Sequence, residues 1–186
     1  MKIQFLGASQ TVTGSRFLLK HGATTVLVDC GLFQGFKNLR LRNWAEFPIA
    51  PEKIDAVLLT HAHLDHSGYI PLLVKRGFRG PIFATRATID LCGILLPDSG
   101  FLQEEEARLA NKRGYSKHHP ALPLYTAEDA KHSLDSFKEV SWKTSTTFTR
   151  NGAGRFEFEF HAAGHLLGAA SVVVRAGSSS VAFSGD

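Results

Sequence analysis

Cysteine is scarce in this 186-residue chain: there are only two, Cys30 and Cys92. Each sits in an apolar context, LVDCGLF and IDLCGILL, so both are expected as buried reduced thiols, and a disulfide scaffold is excluded. Long apolar runs are missing too. No stretch approaches the ~18 residues that a membrane-spanning helix requires, and the start, MKIQFLGASQ, lacks the basic and apolar regions of a secretory signal. A cytoplasmic protein with no membrane contact is therefore expected. Internal repeats and low-complexity tracts are absent. Charge of one sign is nowhere concentrated: the net charge is +4, and the densest basic group, Lys37, Arg40 and Arg42, reads as solvated surface. What remains, 44% hydrophobic and 20% charged residues, is the composition of an ordinary globular domain with a real core.

Strand patterns open the chain. KIQFLG is a short apolar run ended by Gly7; SRFLLKHG and TTVLVD flank a turn-like His21-Gly22-Ala23 and predict a hairpin. IDAVLLT is a continuous apolar run of the kind that fills a strand buried on both faces. SGYIPLLVKRG then has helical spacing, and PIFAT reads as a strand. Thr85 can cap one helix, RATIDLCGILL, and Asp98 or Ser99 a second, GFLQEEEARLANKRG, which ends on Lys112, Arg113 and Gly114. Glu104, Glu105 and Glu106 are expected on a solvated helix face. A loop with two prolines leads from Tyr115 to Tyr125, and Thr126 and Asp129 form a capping-box pattern. Strands return in SWKTSTTFTR, RFEFEFHA, ASVVVRAG and SVAFSG. The alternation from Phe156 to Phe160 marks a half-exposed strand. Strands at both ends with helices between them predict a layered α/β domain with helices on the outer faces of its sheets.

The chemistry-bearing segment is Thr60-His61-Ala62-His63-Leu64-Asp65-His66. Three imidazoles and a carboxylate fall within six residues, directly after a buried strand that must turn sharply. Imidazole nitrogen and carboxylate oxygen suit zinc in a site that keeps a position open for water. Ala163-Gly164-His165-Leu166-Leu167-Gly168, bracketed by glycines between two strands, offers His165 as a third ligand to His61 and His63. Asp186 again follows an apolar strand and a glycine, where a carboxylate could bridge two metals. Asp29, at the end of TTVLVD, is expected either to accept the N–H of a ligand histidine or to be a turn residue. His161 lies on a strand, out of register with His165. His118 and His119 are expected to be solvated, and His21 and His132 have no supporting context.

Phe5-Leu6-Gly7-Ala8, Thr11 to Ser15, Val28 to Gly35, the HxHxDH run, Asp98-Ser99, Glu104 to Ala107, Ala163 to Gly168 and Phe183 to Asp186 together resemble the metallo-β-lactamase superfamily. Within it they resemble the β-CASP RNA-processing nucleases, the TVTGS and GLFQG pieces most of all. The resemblance implies an αββα sandwich and a hydrolase with two zinc ions. It implies His61, His63 and His165 as ligands of one ion and Asp65, His66 and Asp186 as ligands of the other, with Asp186 bridging. Asp29 would orient a ligand, and Asp65 could also accept the proton of the attacking water. The ions would clamp the oxygens of an in-line displacement at phosphorus in an RNA substrate. Family members continue beyond the position of Asp186 into an inserted domain and then complete the lactamase-type domain, with a last histidine ligand there. Residues 1–186 are accordingly expected to be an incomplete domain, inactive or weakly active alone, that belongs with a C-terminal half and could form a homo-oligomer. A thioesterase, sulfatase or β-lactamase on the same fold, or a non-catalytic scaffold, are the alternatives.

Overall fold

We describe a computed structural model of the chain, covering residues 1–150 and 152–186. Strands β1 (Lys2–Phe5), β2 (Phe17–His21) and β3 (Thr24–Val28) form an antiparallel meander, with Phe17 opposite Val28 across the hairpin. Three parallel strands extend it: β4 (Ala56–Leu58), β5 (Ile82–Ala84) and β6 (Phe137–Glu139), giving a six-stranded sheet in the order β1 to β6. The second sheet is antiparallel, in the order β10 (Ser179–Phe183), β9 (Ala170–Ala176), β8 (Ala153–Ala162) and β7 (Thr146–Arg150).

The two sheets face one another across a core of Leu19, Val26, Val28 and Leu58 on one side and Phe156, Phe158, Phe160, Val172 and Val174 on the other. The odd residues Glu157 and Glu159 point away from it, as the alternation predicts. On its other face the six-stranded sheet is covered by helices, which bury Leu27, Val57 and Ile82 against Ile70, Leu73, Cys92 and Leu96. Both cysteines are buried and free. Among the described residues, helices pack only on the six-stranded sheet. The predicted layered α/β design is seen here with its helical layer on the six-stranded sheet, while the outer face of the second sheet carries Glu157, Glu159 and Arg175.

The helices are α1 (Lys37–Leu41), α2 (Leu64–Ser67), α3 (Ile70–Lys75), α4 (Arg86–Arg113) and α5 (Ala127–Ser133). Two predicted helices prove to be one. Helix α4 runs 28 residues through Pro97, so Asp98 and Ser99 are interior residues and cap nothing. Tertiary packing outweighs the local break. Ser99 is buried with its hydroxyl 2.9 Å from the Tyr125 hydroxyl, and Gly100 lies flat against the backbone of Thr126 and Ala127. A helix end there would strand polar backbone groups in the core. Thr85 is the N-cap of α4, and Gly114, in the left-handed region, is its C-cap. Thr126 and Asp129 form the predicted capping box of α5. Glu104 is not simply solvated: its carboxylate accepts the Ala127 N–H at 2.9 Å, at the first turn of α5. Strand β6 and helix α1 have no counterpart in the predicted pattern, and β7 begins only at Thr146. Among the described residues, no helix is long and apolar enough to cross a membrane.

Candidate metal centre

The parallel strands β3 and β4 end side by side, and the segments leaving them build the site. After Val28 the chain turns at Asp29, a non-glycine residue held at φ +57. Aspartate tolerates this left-handed conformation better than most residues, at a cost of about 1 kcal/mol. Four donors converge on its buried carboxylate and fix it. The Thr60 N–H donates at 2.8 Å, the Thr60 hydroxyl at 2.9 Å, the Ser15 hydroxyl at 3.1 Å and His66 Nδ1 at 2.7 Å. The turn is then laced to the metal motif by backbone bonds: Cys30 N to His66 O, Leu32 N to Leu64 O, Tyr69 N to Cys30 O and Ser15 N to Asp65 O. Gly31 is forced by this closeness, since a Cβ there would stand 1.6 Å from the Asp65 carbonyl oxygen.

Beyond β4 the chain passes through His61 and His63 into the short helix α2, which carries Asp65 and His66 in its first turns. On the other sheet, the loop between β8 and β9 presents His165. Gly168 anchors that loop, its carbonyl accepting the hydroxyls of Thr85 at 2.7 Å and Thr88 at 3.0 Å at the start of α4. The end of β10 delivers Asp186. Two sheets and four chain segments thus meet at one rim.

All the predicted ligands converge. His61 Nε2 lies 3.2 Å from His63 Nδ1, and His165 Nε2 lies 3.1 Å from the same atom. Asp186 Oδ2 stands 3.9 Å from His61 Nε2 and 4.0 Å from His165 Nε2, while its Oδ1 is 3.3 Å from His66 Nε2. Asp65 Oδ2 is 3.9 Å from His66 Nε2. Ligand atoms form two groups, His61, His63, His165 and Asp186, and Asp65, His66 and Asp186, each within 4.8 Å of one another. Asp186 belongs to both.

The donor set fits divalent cations. Nitrogens ~2.1 Å from a tetrahedral zinc lie roughly 3.4 Å apart, close to the spacing seen here. The tautomers agree. His66 Nδ1 donates to Asp29, leaving Nε2 turned toward Asp186 and Asp65. The Thr60 hydroxyl, having given its proton to Asp29, accepts from His61 Nδ1 at 3.0 Å, leaving Nε2 toward the site. Burial, with a smaller contribution from the His66 charge, pushes the His61 pKa down to about 4, so its ring is neutral at physiological pH. Burial alone would lower His66 as well. Its hydrogen bond to Asp29 and the charges of Asp29, Asp65 and Asp186 override this, and its pKa is raised.

Asp29 is 2% exposed, sits behind His66 with its carboxylate on Nδ1, and does not line the open face. The face itself is accessible through His63, His165 and Asp186. His161 points elsewhere, pairing with Glu159 at 3.4 Å, and His118 and His119 are exposed, as expected. Thr60, Ser15, Thr85 and Thr88 were not singled out as site residues. Hydroxyls carry too little signal in a sequence, although Thr60 directly precedes the motif and Ser15 closes TVTGS.

Residues 12–79 match the metallo-beta-lactamase superfamily. A ribonuclease of Thermus thermophilus is 39% identical over the whole chain, which spans 38% of that protein. The transcription termination factor FttA of Methanocaldococcus jannaschii is 30% identical, again over the whole chain and 27% of the relative. Integrator complex subunit 11 of Danio rerio is 31% identical over 29% of its own length. The chain therefore spans well under half the length of these relatives. Among solved structures, a subclass B3 metallo-β-lactamase of Bradyrhizobium japonicum superposes on 97% of the chain, and 57% of that protein, with a TM-score of 0.54 at 19% identity. At that identity the likeness is one of fold.

Proposed function

We propose that the chain, whose residues 12–79 match the metallo-β-lactamase superfamily, is the metal-binding portion of a zinc-dependent phosphodiesterase that hydrolyses RNA, of the β-CASP kind. One observation carries the reading: two groups of imidazole and carboxylate donors share Asp186 at the rim of two sheets. The RNA substrate is suggested by the ribonuclease and the termination factor among its relatives, and RNA turnover fits a cytoplasmic protein.

His61, His63 and His165 would hold one cation and Asp65 and His66 the other, with Asp186 between them. When bound, such a pair supplies charge neutralisation at the phosphate and a more acidic attacking water. The chain's own groups set the conditions. Asp29 fixes the His66 tautomer, and Thr60 does so for His61. Neutral His61 offers a lone pair without first losing a proton. Asp65, partly exposed at the open side, would take the proton of the attacking water. His63, His165 and Asp186 form the exposed edge, and a phosphodiester would approach from that side. We further propose that the lactamase-type domain is completed by residues outside these 186, which would add a ligand to the second cation.

The test is metal analysis of the chain, and of any longer product of its reading frame, followed by an assay on end-labelled RNA with and without chelator. Bound zinc and chelator-sensitive cleavage by the longer product are expected. A preparation that retains no divalent cation overturns the reading. Hydrolysis of a thioester or a chromogenic β-lactam without cleavage of RNA moves the protein to another branch of the fold.

A further inference from the structure

Arg16 is a cation buried to 3% exposure behind the metal motif, and no carboxylate forms an ion pair with it among the described residues. Its guanidinium instead packs against three rings, 4.1 Å from the centre of Tyr69, 4.9 Å from Phe33 and 5.3 Å from Phe47. Burial lowers its pKa from the ordinary value. Isolated buried charge is costly, and an apolar side chain of similar volume would fill this space at less expense. The guanidinium is used for direction. Nε and Nη2 both donate to the Gly31 carbonyl, at 2.9 and 2.7 Å, a fork on a single acceptor. Nη2 also reaches Asn43 Oδ1 at 3.5 Å, and that same amide binds Phe33 N and Phe33 O, which extends the grip past Gly31.

Gly31 is the residue pressed against the backbone of Asp65 and His66, and it follows Asp29 by two. Its N–H donates to Ser15 O, next to Arg16, so residues 15–16 clasp the turn from both sides. From this placement we infer that Arg16 is a positioning residue for the second cation site: by pinning the Gly31 carbonyl it sets the Asp29 carboxylate on His66 Nδ1 and the height of Asp65. The first site depends on it less. Its ligands arise from β4 and from the β8–β9 loop, whose anchor is Thr85 and Thr88 on α4. The inference rests on the two-cation reading above.

Arg16→Met removes the charge and the fork; Arg16→Lys keeps a charge among the rings with a single point donor. The His66 tautomer is read in the metal-free chain, in mildly alkaline solution, from long-range proton–nitrogen correlations of its imidazole. Cobalt titration then reads the two sites separately. Arg16→Met should mix the His66 tautomers and weaken the second site by about tenfold or more, with the first site unchanged; Arg16→Lys should fall between it and the parent. If Arg16→Met does not fold, Arg16→Lys decides alone: a selective second-site loss supports the role, and no loss or equal loss at both sites refutes it. A parent His66 tautomer in both folded variants also refutes it. A parent chain that binds no cobalt sinks the two-cation reading itself, whereas a parent that binds two while both variants match it sinks only the role of Arg16.

Discussion

Replacing Asp29 by Asn tests the site at the point where its geometry is most constrained. The carboxylate has four donors and no spare acceptor direction: Oδ1 takes the Thr60 N–H and hydroxyl, and Oδ2 takes His66 Nδ1 and the Ser15 hydroxyl. An amide of the same shape offers one oxygen and one NH2 group. The backbone N–H of Thr60 cannot turn away, and a buried N–H left unpaired costs about 1–3 kcal/mol, so the amide oxygen goes to Thr60. His66 then faces an N–H. It must accept through Nδ1 and carry its proton on Nε2, the atom that points to Asp186 and Asp65. The second cation must expel that proton. Loss of such an orienting partner weakens metal binding by about 10- to 100-fold. Asp29→Asn should therefore lose affinity at the second site by that factor, while His61 keeps its Thr60 partner and the first site changes little. The metal-free fold should lose about 2 kcal/mol with the charge-assisted bond, more below pH ~6.5 than in alkali. The sign follows from His66: its raised folded pKa gives stability that is present below the unfolded value and lost as pH rises through the folded one. Competition with a chromophoric chelator measures both affinities. Second-site binding within a factor of about two of the parent would refute the reasoning.

Other perturbations have equally definite outcomes. His61, with its pKa pushed down to about 4, should titrate far below an ordinary histidine in the metal-free chain. Its unfolded form binds the proton first, so its contribution to stability is lost as pH falls from ~6.5 toward 4; imidazole shifts followed by NMR check the pKa, and an ordinary value refutes it. Gly31→Ala drives a methyl into the Asp65 carbonyl and should destabilise by about 3 kcal/mol or more, seen as a lower denaturant midpoint. Pro97→Ala restores a hydrogen bond inside α4 and should raise the thermal midpoint, by up to about 2 kcal/mol in stability; a fall would mean the proline ring packs better than its helix suffers.

The candidate metal ligands of the motif are legible because their types are rare and their spacing is local. HxHxDH sits at the end of an apolar run, and both features belong to one stretch of chain. The glycine-bracketed His165 stands out in its own stretch, whereas strand-end aspartates such as Asp29 and Asp186 are common in turns and are marked mainly by the family resemblance. Alternation identified β8, and capping residues marked the starts of α4 and α5. Local signals misled where a distant partner outweighed them. Asp98 and Ser99 read as caps of a second helix, but Tyr125 and Thr126 pack against the segment and hold one helix through it. The three residues of β6 have strand form only because β5 lies beside them.

Sequence alone determined which side chains can bind a cation, and roughly which strand ends present them, because ligand chemistry and strand periodicity are properties of a few adjacent residues. Tertiary structure alone decided the distances at which His165 and Asp186, far along the chain from the motif, close on it, and that Thr60 and Arg16 stand behind it. Those relations depend on how two sheets face each other across a shared core, and no local pattern of residues encodes a distance between separate strands.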